Sequence, residues 1–507
     1  MIYEDINSQI ISSSKYGDRV YLRCPNGNKN LSFQDILNFK NKFNRYLLNN
    51  KIPEKDKVCT IVDNSKLLIC LFLSIISNNR IFVPINPSAG KKEIEYILKK
   101  TKPKLIIASD LMKSKIKNLK NYQITFIKNE ENFIQTIYKL KNLNSKSKHS
   151  LKNNIAEILF TSGSTGDPKG VVLTHKNIMS NVKGLIQSFN YKKKYSNFLS
   201  VTPLYHNNGQ FIPTLIPLVL GHSTTTIKPL SGLLHFINVL KKFKINYTSV
   251  MATHINYLLS LKKKYNLNSL VEIYCGGAKL DSNVQKIFEK KYKVKILANY
   301  GLTECSSIAS TETNKIRKFG SVGKPLDNNL IKISKKKINY GEILIKGKNI
   351  FKEYLSNKKL TNKKVINGYL YTGDKGYFDR SGYLFIEDRI DNMINVSGEN
   401  IYPSEIEKYT NNYKGIRLSV ALGIKDPIIQ NKIILIYEKK SSKFKLNENH
   451  LDKFLTEKIS LYKIPKKYFS CEQIGLKEIP KAPNQKILRK KLNIYLENFF
   501  KNNKIEL

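Results

Sequence analysis

The chain has 507 residues and a formal net charge of +48, with 87 Lys plus Arg against 39 Asp plus Glu. That length predicts two or more domains with a large core, and the charge attracts anions: nucleic acid, acidic membrane or nucleotide-like substrates. The basic residues are scattered, in short runs such as Lys192-Lys193-Lys194, Lys262-Lys263-Lys264 and Lys335-Lys336-Lys337, which reads as a solvated surface and disfavours a dedicated nucleic-acid or membrane binder.

The six cysteines (Cys24, Cys59, Cys70, Cys275, Cys305, Cys471) are dispersed, with no CxxC and no His at zinc spacing. Reduced thiols in a cytoplasmic protein are expected. The first residues, MIYEDINSQ, form neither a basic nor an apolar leader region. The most apolar run, 67–76, falls short of the roughly 20 residues that span a bilayer, so no transmembrane segment is expected. The abundance of Lys, Asn and Ile is the bias of an AT-rich genome rather than a functional signal.

The first third alternates helical and strand-like patterns. A helix runs to Leu47 behind Leu31-Ser32-Phe33, followed by a strand at 58–62, a buried helix at 67–77 and a strand at 81–85 closed by Asn86-Pro87. A helix at 94–100 and a strand at 104–108 come next. Strand–helix–strand at this spacing predicts a mostly parallel sheet. The polar stretch 139–154 leads into IAEILFTSGSTGDPKGVVLTH, residues 155–175. This segment reads as a strand (158–160), a polar loop and a second strand (171–173). The loop holds Thr161, Ser162, Ser164 and Thr165 with Gly163, Gly166 and Gly170, then Lys169. Glycines let a backbone approach an anion, hydroxyls donate and Lys169 supplies charge. By composition alone the loop fits a plain surface hairpin better than a phosphate-binding loop. It is not a Walker A loop, because Gly170 rather than Ser or Thr follows Lys169.

After His175 a helix to about Phe189 is expected, then a strand at 198–201 that delivers Pro203-Leu204-Tyr205-His206-Asn207-Asn208-Gly209. Further strands are expected at 224–227, 247–250, 271–274 and 295–300, with helices between; Asp281 or Ser282 caps the one ending near Lys290. Short β segments at 342–346, 369–372 and 383–387 mark a β-rich subdomain, with a hairpin turn at Asp379-Arg380-Ser381-Gly382. Beyond Arg389 come a helix behind Pro403, strands at 418–422 and 433–437, a helix at 449–461 and a basic terminal helix after Ile487. That is a small α+β domain.

Several motifs carry chemistry. Asn299-Tyr300-Gly301-Leu302-Thr303-Glu304 sits at the C-terminal end of an expected strand, where ligands of α/β sheets bind. Tyr300 offers a flat face for a base, Thr303 a hydroxyl for a phosphate and Glu304 a hard oxygen for Mg²⁺. Tyr371-Thr372-Gly373-Asp374 presents a carboxylate suited to two ribose hydroxyls, or to an Asx turn. Taken alone, His206 reads as structural or idle, and Lys486 is one lysine among many.

Together these stretches resemble the AMP-forming acyl and aryl acid ligases, the superfamily of acyl-CoA synthetases, peptide-synthetase adenylation domains and luciferases. The motifs occur in family order from Thr161 to Lys486. The resemblance implies a large N-terminal multi-sheet α/β domain, 1–390, for ATP and acid, and a small mobile C-terminal α+β domain, 391–507, with its hinge at Asp391. Thr161, Ser162, Gly163, Ser164, Thr165, Gly166 and Lys169 would surround the phosphates. Gly276, Gly277 and Ala278 would form the adenine and acyl wall, and Asn299, Tyr300 and Gly301 would bind the nucleotide, with Tyr300 against the base. Asp374 would hold the ribose, Arg389 the ribose or phosphates, and Glu304 the Mg²⁺. His206 would lie beside the substrate carboxylate. Thr303 and His206 join Lys486 as catalytic residues, and Ser397, Gly398, Glu399 and Asn400 would line the CoA tunnel. Three positions depart from the family pattern: Asp388 and Gln485 stand for glycines, and Ser397 for a second glycine.

The implied reaction joins two anions. The acid attacks the α-phosphate of ATP, pyrophosphate leaves, and the CoA thiol then takes the acyl group from AMP. Mg²⁺, ATP and CoA are the implied cofactor and co-substrates, and a small carboxylic acid the partner. The alternative is loading of the acid onto the phosphopantetheine of a carrier protein. No carrier domain is fused here, and the Ser397-Gly398-Glu399-Asn400 core favours free CoA. No Asp stands near Tyr205-His206 to bind an ammonium, which disfavours an amino acid; medium-chain, aryl and dicarboxylic acids stay open. The sequence carries no signal of oligomeric state.

Overall fold

Helices and strands alternate through the first third, as the apolar pattern predicts, and they assemble a seven-stranded sheet in the computed structural model. That structure describes residues 1–25, 29–143, 150–161, 168–189, 191, 194–228, 232–277, 280–334, 341–389, 393–442, 444–480 and 487–503; for Glu387, Asp388, Arg389, Asn400, Ser404 and Lys490 it describes the backbone only. The chain groups into two compact units. One comprises Met1–Pro87, Leu98–Phe160 and Gly170–Ile390; the other comprises Ser88–Ile97, Thr161–Lys169 and Asp391–Leu507.

In the first unit, the strands Lys57–Ile61, Ile81–Pro84, Leu105–Ser109 and Gln123–Ile127 pair in parallel, and Ile155–Thr161 joins them with Glu157 opposite Phe82. Helix Lys66–Ser77 is buried along its whole length, which its apolar residues on every face require. Ser65 caps it by accepting from the Leu68 amide. Helix Phe33–Asn49 starts on a reciprocal capping box between Ser32 and Asp35.

The second sheet has nine strands, and its parallel members Asn197–Ser200, Tyr247–Val250, Glu272–Cys275 and Lys295–Tyr300 position the site. Period-two alternation splits their side chains between two cores. Phe198, Tyr247, Tyr274 and Leu297 enter the larger core, shared with the segment Phe211–Leu215. Leu199, Val250, Ile273 and Ile296 face the helices Leu233–Lys242, Ala252–Ser260 and Ser282–Tyr292. Asp281 caps the last of these, accepting from the Asn283 and Val284 amides. A sheet buried on both faces explains why these strands read as nearly continuous apolar runs. Phe211–Leu215 winds as a π-helix; Pro213 contributes no amide hydrogen to the ladder there.

A five-stranded antiparallel sheet follows, from Asn329–Ile333, Gly341–Gly347, Val365–Ile366, Tyr369–Phe378 and Leu384–Arg389. The Asp379 carboxylate closes its last hairpin, accepting from the Ser381 and Tyr383 amides.

In the second unit, Ile416–Asp426 and Gln430–Lys439 pair antiparallel, and Lys467–Ser470 adds a parallel strand. Arg489, at the start of the terminal helix Arg489–Asn502, donates to the Glu407 carboxylate at 2.7 Å. Lys463, 2% exposed, lies 2.7 Å from Glu405 and 3.4 Å from Glu93. The helix expected at 449–461 ends earlier, as Glu448–Thr456. The chain then breaks: Ser460 turns its hydroxyl to Glu93, and Leu461–Lys463 winds into a 3-10 turn that buries the Lys463 ammonium. Among the described residues no helix is long and apolar enough to cross a membrane.

Candidate active site

The parallel strands of the nine-stranded sheet run in one direction, so the predicted residues that follow them gather along one edge. Gly276 and Gly277 follow Glu272–Cys275, Asn299 and Tyr300 close Lys295–Tyr300, and His206 lies six residues beyond Asn197–Ser200. The crevice outside strand C-termini is the usual ligand position in such sheets.

Gly276 and Asn299 explain one another. A Cβ on Gly276 would lie 2.0 Å from Asn299 Oδ1, so only glycine admits the amide there. Asn299 is 7% exposed, and its Nδ2 is a buried donor with no partner. An orphaned buried donor costs on the order of 1–3 kcal/mol, which a ligand acceptor would recover.

Tyr300 donates its hydroxyl to Asp374 Oδ2 at 2.7 Å, joining the nine-stranded and five-stranded sheets. Burial first, and then the Asp374 carboxylate, push the phenol well above its ordinary value. Asp374 is held locally: its amide donates to Thr372 Oγ1, and the amide of Gly373, at φ +78°, donates to Glu342 Oε1 at 2.7 Å. The antiparallel register sets the Arg389 backbone directly opposite Asp374.

Gly301 has no room for a side chain, since a Cβ would meet the Ser307 carbonyl at 1.7 Å. The chain turns back there through the 3-10 turn Thr303–Cys305 and two residues at positive φ, Ser306 and Ser307. Glu304 Oε1 accepts from the Tyr354 hydroxyl at 2.7 Å. Tyr354 pairs with Val171 on the strand that leaves the predicted phosphate loop. Among the described residues no group of three His, Cys, Asp or Glu could hold a metal. A lone carboxylate fits the way Mg²⁺ is commonly held, by one or two carboxylates with substrate phosphates and water completing the shell.

His206 precedes the short helix Asn207–Gln210; its amide donates to the Pro203 carbonyl, and its own carbonyl accepts from the Gly209 amide. Gly209 is again obligatory, with a Cβ 2.4 Å from the Pro203 carbonyl oxygen. Thr161 ends Ile155–Thr161, and Lys169 opens Lys169–Thr174. Between them Ser162, Gly163, Ser164, Thr165 and Gly166 lie outside the described residues, as do Ala278, Asp391, Gln485 and Lys486.

In the second unit, Ser397 and Gly398 form the turn between Ile394–Val396 and Glu399–Ile401, with Asn400 opposite Asn395. Ser397 takes φ +53° and Gly398 φ +87°, so Ser397 occupies a left-handed position that favours glycine.

Sequence reading missed Glu342, Tyr354, Glu157, Gln210 and Asn64. Only Glu157 carried a signal, as the one charge in the apolar strand before the loop. A cavity of about 540 Å³ elsewhere in the first unit includes Arg23, Lys66, Glu131 and Lys228 in its lining and touches none of the predicted residues. Lys66 pairs with Glu131, and Lys228 with Asp63, so much of its charge is spent internally.

The profile of the AMP-binding enzyme family matches residues 11–355. The chain is 28% identical to the long-chain-fatty-acid–CoA ligase of Bacillus subtilis (strain 168) over 92% of this chain and 90% of that protein. It is 31% identical to a 2-succinylbenzoate–CoA ligase of Staphylococcus epidermidis over 70% of this chain and 76% of that one. Among solved structures, a double mutant of o-succinylbenzoate CoA synthetase from Bacillus subtilis, bound with its product analogue, superposes with a TM-score of 0.85 at 20% identity, over 96% and 98% of the two chains. ATP-bound MatB from Rhodopseudomonas palustris gives 0.72 at 19% identity, over 99% of each. At these identities the structural likeness speaks to the fold.

Proposed function

The chain belongs to the AMP-binding enzyme family, and we propose that it activates a carboxylic acid with ATP as an acyl-adenylate and passes the acyl group to CoA. The observation that carries this reading is the Tyr300–Asp374 hydrogen bond, supported by the orphaned donor of the preceding residue, Asn299. An aromatic face, a carboxylate and an unused amide are groups that adenosine binding calls for, and they support the reading. The relatives named above are a long-chain-fatty-acid–CoA ligase and a 2-succinylbenzoate–CoA ligase, and the acid is fixed no further.

The barrier is electrostatic, because a carboxylate must approach a polyphosphate. In this reading Asn299 donates to the base, Tyr300 lies under it and Asp374 accepts from the ribose hydroxyls. Thr161, Thr303 and Lys169 face phosphate oxygens, as do Ser162 to Gly166 between them. His206 lies beside the acid's carboxylate, and Lys486 draws carboxylate and α-phosphate together. Glu304 would hold Mg²⁺, which supplies neutralising charge to the phosphates when bound. Once pyrophosphate has left, rotation of the domain 391–507 about Asp391 would withdraw Lys486 and bring Ser397, Gly398, Glu399 and Asn400 to the thiol. Six free cysteines, five of them buried, fit a reducing compartment, and cytoplasmic is the location we propose.

The test is pyrophosphate release from ATP across medium-chain, aryl and dicarboxylic acids, with and without CoA. The reading expects release that depends on the acid, with acyl-CoA and AMP formed only when CoA is present. Acid-independent hydrolysis, or no release with any acid, contradicts it.

A further inference from the structure

Glu157 is an ionisable residue that the reaction above does not use, and it sits in an unusual place. It lies mid-strand in Ile155–Thr161, four residues before Thr161, and is 0% exposed. Neither carboxylate oxygen makes a well-formed hydrogen bond. Burial pushes the carboxyl up to about 8, and the Gln210 side chain lies within hydrogen-bonding reach of it. No ionisable side chain comes from the neighbouring strand Ile81–Pro84 or from the helix Asn207–Gln210, and Lys169–Thr174 carries its one charge at its first residue. A buried carboxyl in those surroundings stays neutral rather than bear an uncompensated charge.

Gln210 is equally buried and half used. Its Nε2 donates to the Leu204 carbonyl at 2.8 Å, while its Oε1 has no partner. Leu204 is also gripped from the other side: its amide donates to Asn64 Oδ1 at 2.9 Å, and Asn64 Nδ2 donates to the Thr202 carbonyl at 2.8 Å. Two amide side chains thus hold the turn that ends at His206. An amide can rotate end for end, and a turned Gln210 would present an oxygen to the Leu204 carbonyl, acceptor against acceptor. Something must fix which way round it lies.

We propose that Glu157, as a neutral acid donating its O–H to Gln210 Oε1, is the positioning residue for the turn 202–206 that presents His206 to the acid substrate. One bond satisfies the two orphaned groups and locks Nε2 onto Leu204. This role rests on the reading of His206 as the residue beside the substrate carboxylate.

The test compares E157Q, which keeps a donor of the same shape, with E157L, which does not. E157Q retains the KM for the acid within about twofold. E157L raises it about tenfold or more, the scale of one buried hydrogen bond lost with its partner left unpaired; the KM for ATP stays unchanged in both. Q210L, which also loses the bond to the Leu204 carbonyl, is expected to raise the KM for the acid at least as much as E157L, and the double variant to be no worse than Q210L, because the two act as one unit. Equal harm from E157Q and E157L, or a rise shared by ATP, overturns the proposal. Infrared difference spectra of wild type against E157Q at pH 7, without substrate, give a readout independent of turnover and of whether E157L folds. A protonated carboxylic acid C=O band lost in E157Q is expected, and its absence from the wild type overturns the proposal. Failure of wild type to release pyrophosphate with any acid removes the acid-ligase reading instead, and leaves the infrared result standing.

Discussion

Asp374 is the single residue on which the proposed ribose contact rests. Its carboxylate accepts from Tyr300, its amide is tied to Thr372, and it is only 7% exposed, so the side chain is set before any nucleotide arrives. Asp374→Ala is expected to raise the KM for ATP about 10- to 100-fold, the range for losing a charge-assisted contact. The KM for the acid should change far less, and steady-state kinetics with each substrate varied check this. Glu157 makes a second prediction, and its sign follows from linkage. Its folded value, about 8, lies above the usual carboxylate range. Between about 4.5 and 8 the folded state therefore holds a proton that the unfolded chain releases, and wild type loses stability as pH rises through that window. E157Q has no such proton. Relative to wild type it should gain about 2–4 kcal/mol between pH 5 and pH 8 in urea unfolding. A difference that stays flat with pH contradicts this.

At the scale of elements, the sequence was most legible where periodicity and burial agree. Lys66–Ser77, Tyr247–Val250 and Lys295–Tyr300 lie where the apolar runs put them, because buried helices and parallel strands leave no polar alternative. The strands Val20–Arg23 and Asn329–Ile333 went unread; each is short and set by its neighbours rather than by its own pattern. The hydrogen bonds linking Tyr300 to Asp374 and Glu304 to Tyr354 span 74 and 50 residues, and no local spacing announces such pairs. Ser397 is a different case: the sequence shows a serine where the family commonly has glycine, and its φ of +53° shows that the position is left-handed. Gly209 tests how tightly the helix Asn207–Gln210 is pressed onto its preceding loop. An added Cβ would lie 2.4 Å from the Pro203 carbonyl oxygen and 2.6 Å from that of Thr202. G209A must shift backbone, and it is expected to lower kcat/KM for the acid at least tenfold while circular dichroism stays native. Unchanged kinetics would mean that this turn does not shape the acid site.

For the whole molecule, family membership and the two-unit fold bound the chemistry, and the charge of +48 bounds only the kind of ligand it attracts. The proposed chemistry turns on one lysine, Lys486, which would serve the first half-reaction and withdraw from the second. The direct measurement separates the halves in K486A: acid-dependent ATP–pyrophosphate exchange on one side, and acyl-CoA formation from supplied acyl-adenylate on the other. Exchange is expected to fall at least ~10²-fold, the scale of one transition-state charge contact, while thioester formation from the adenylate survives. An equal fall in both half-reactions would contradict it.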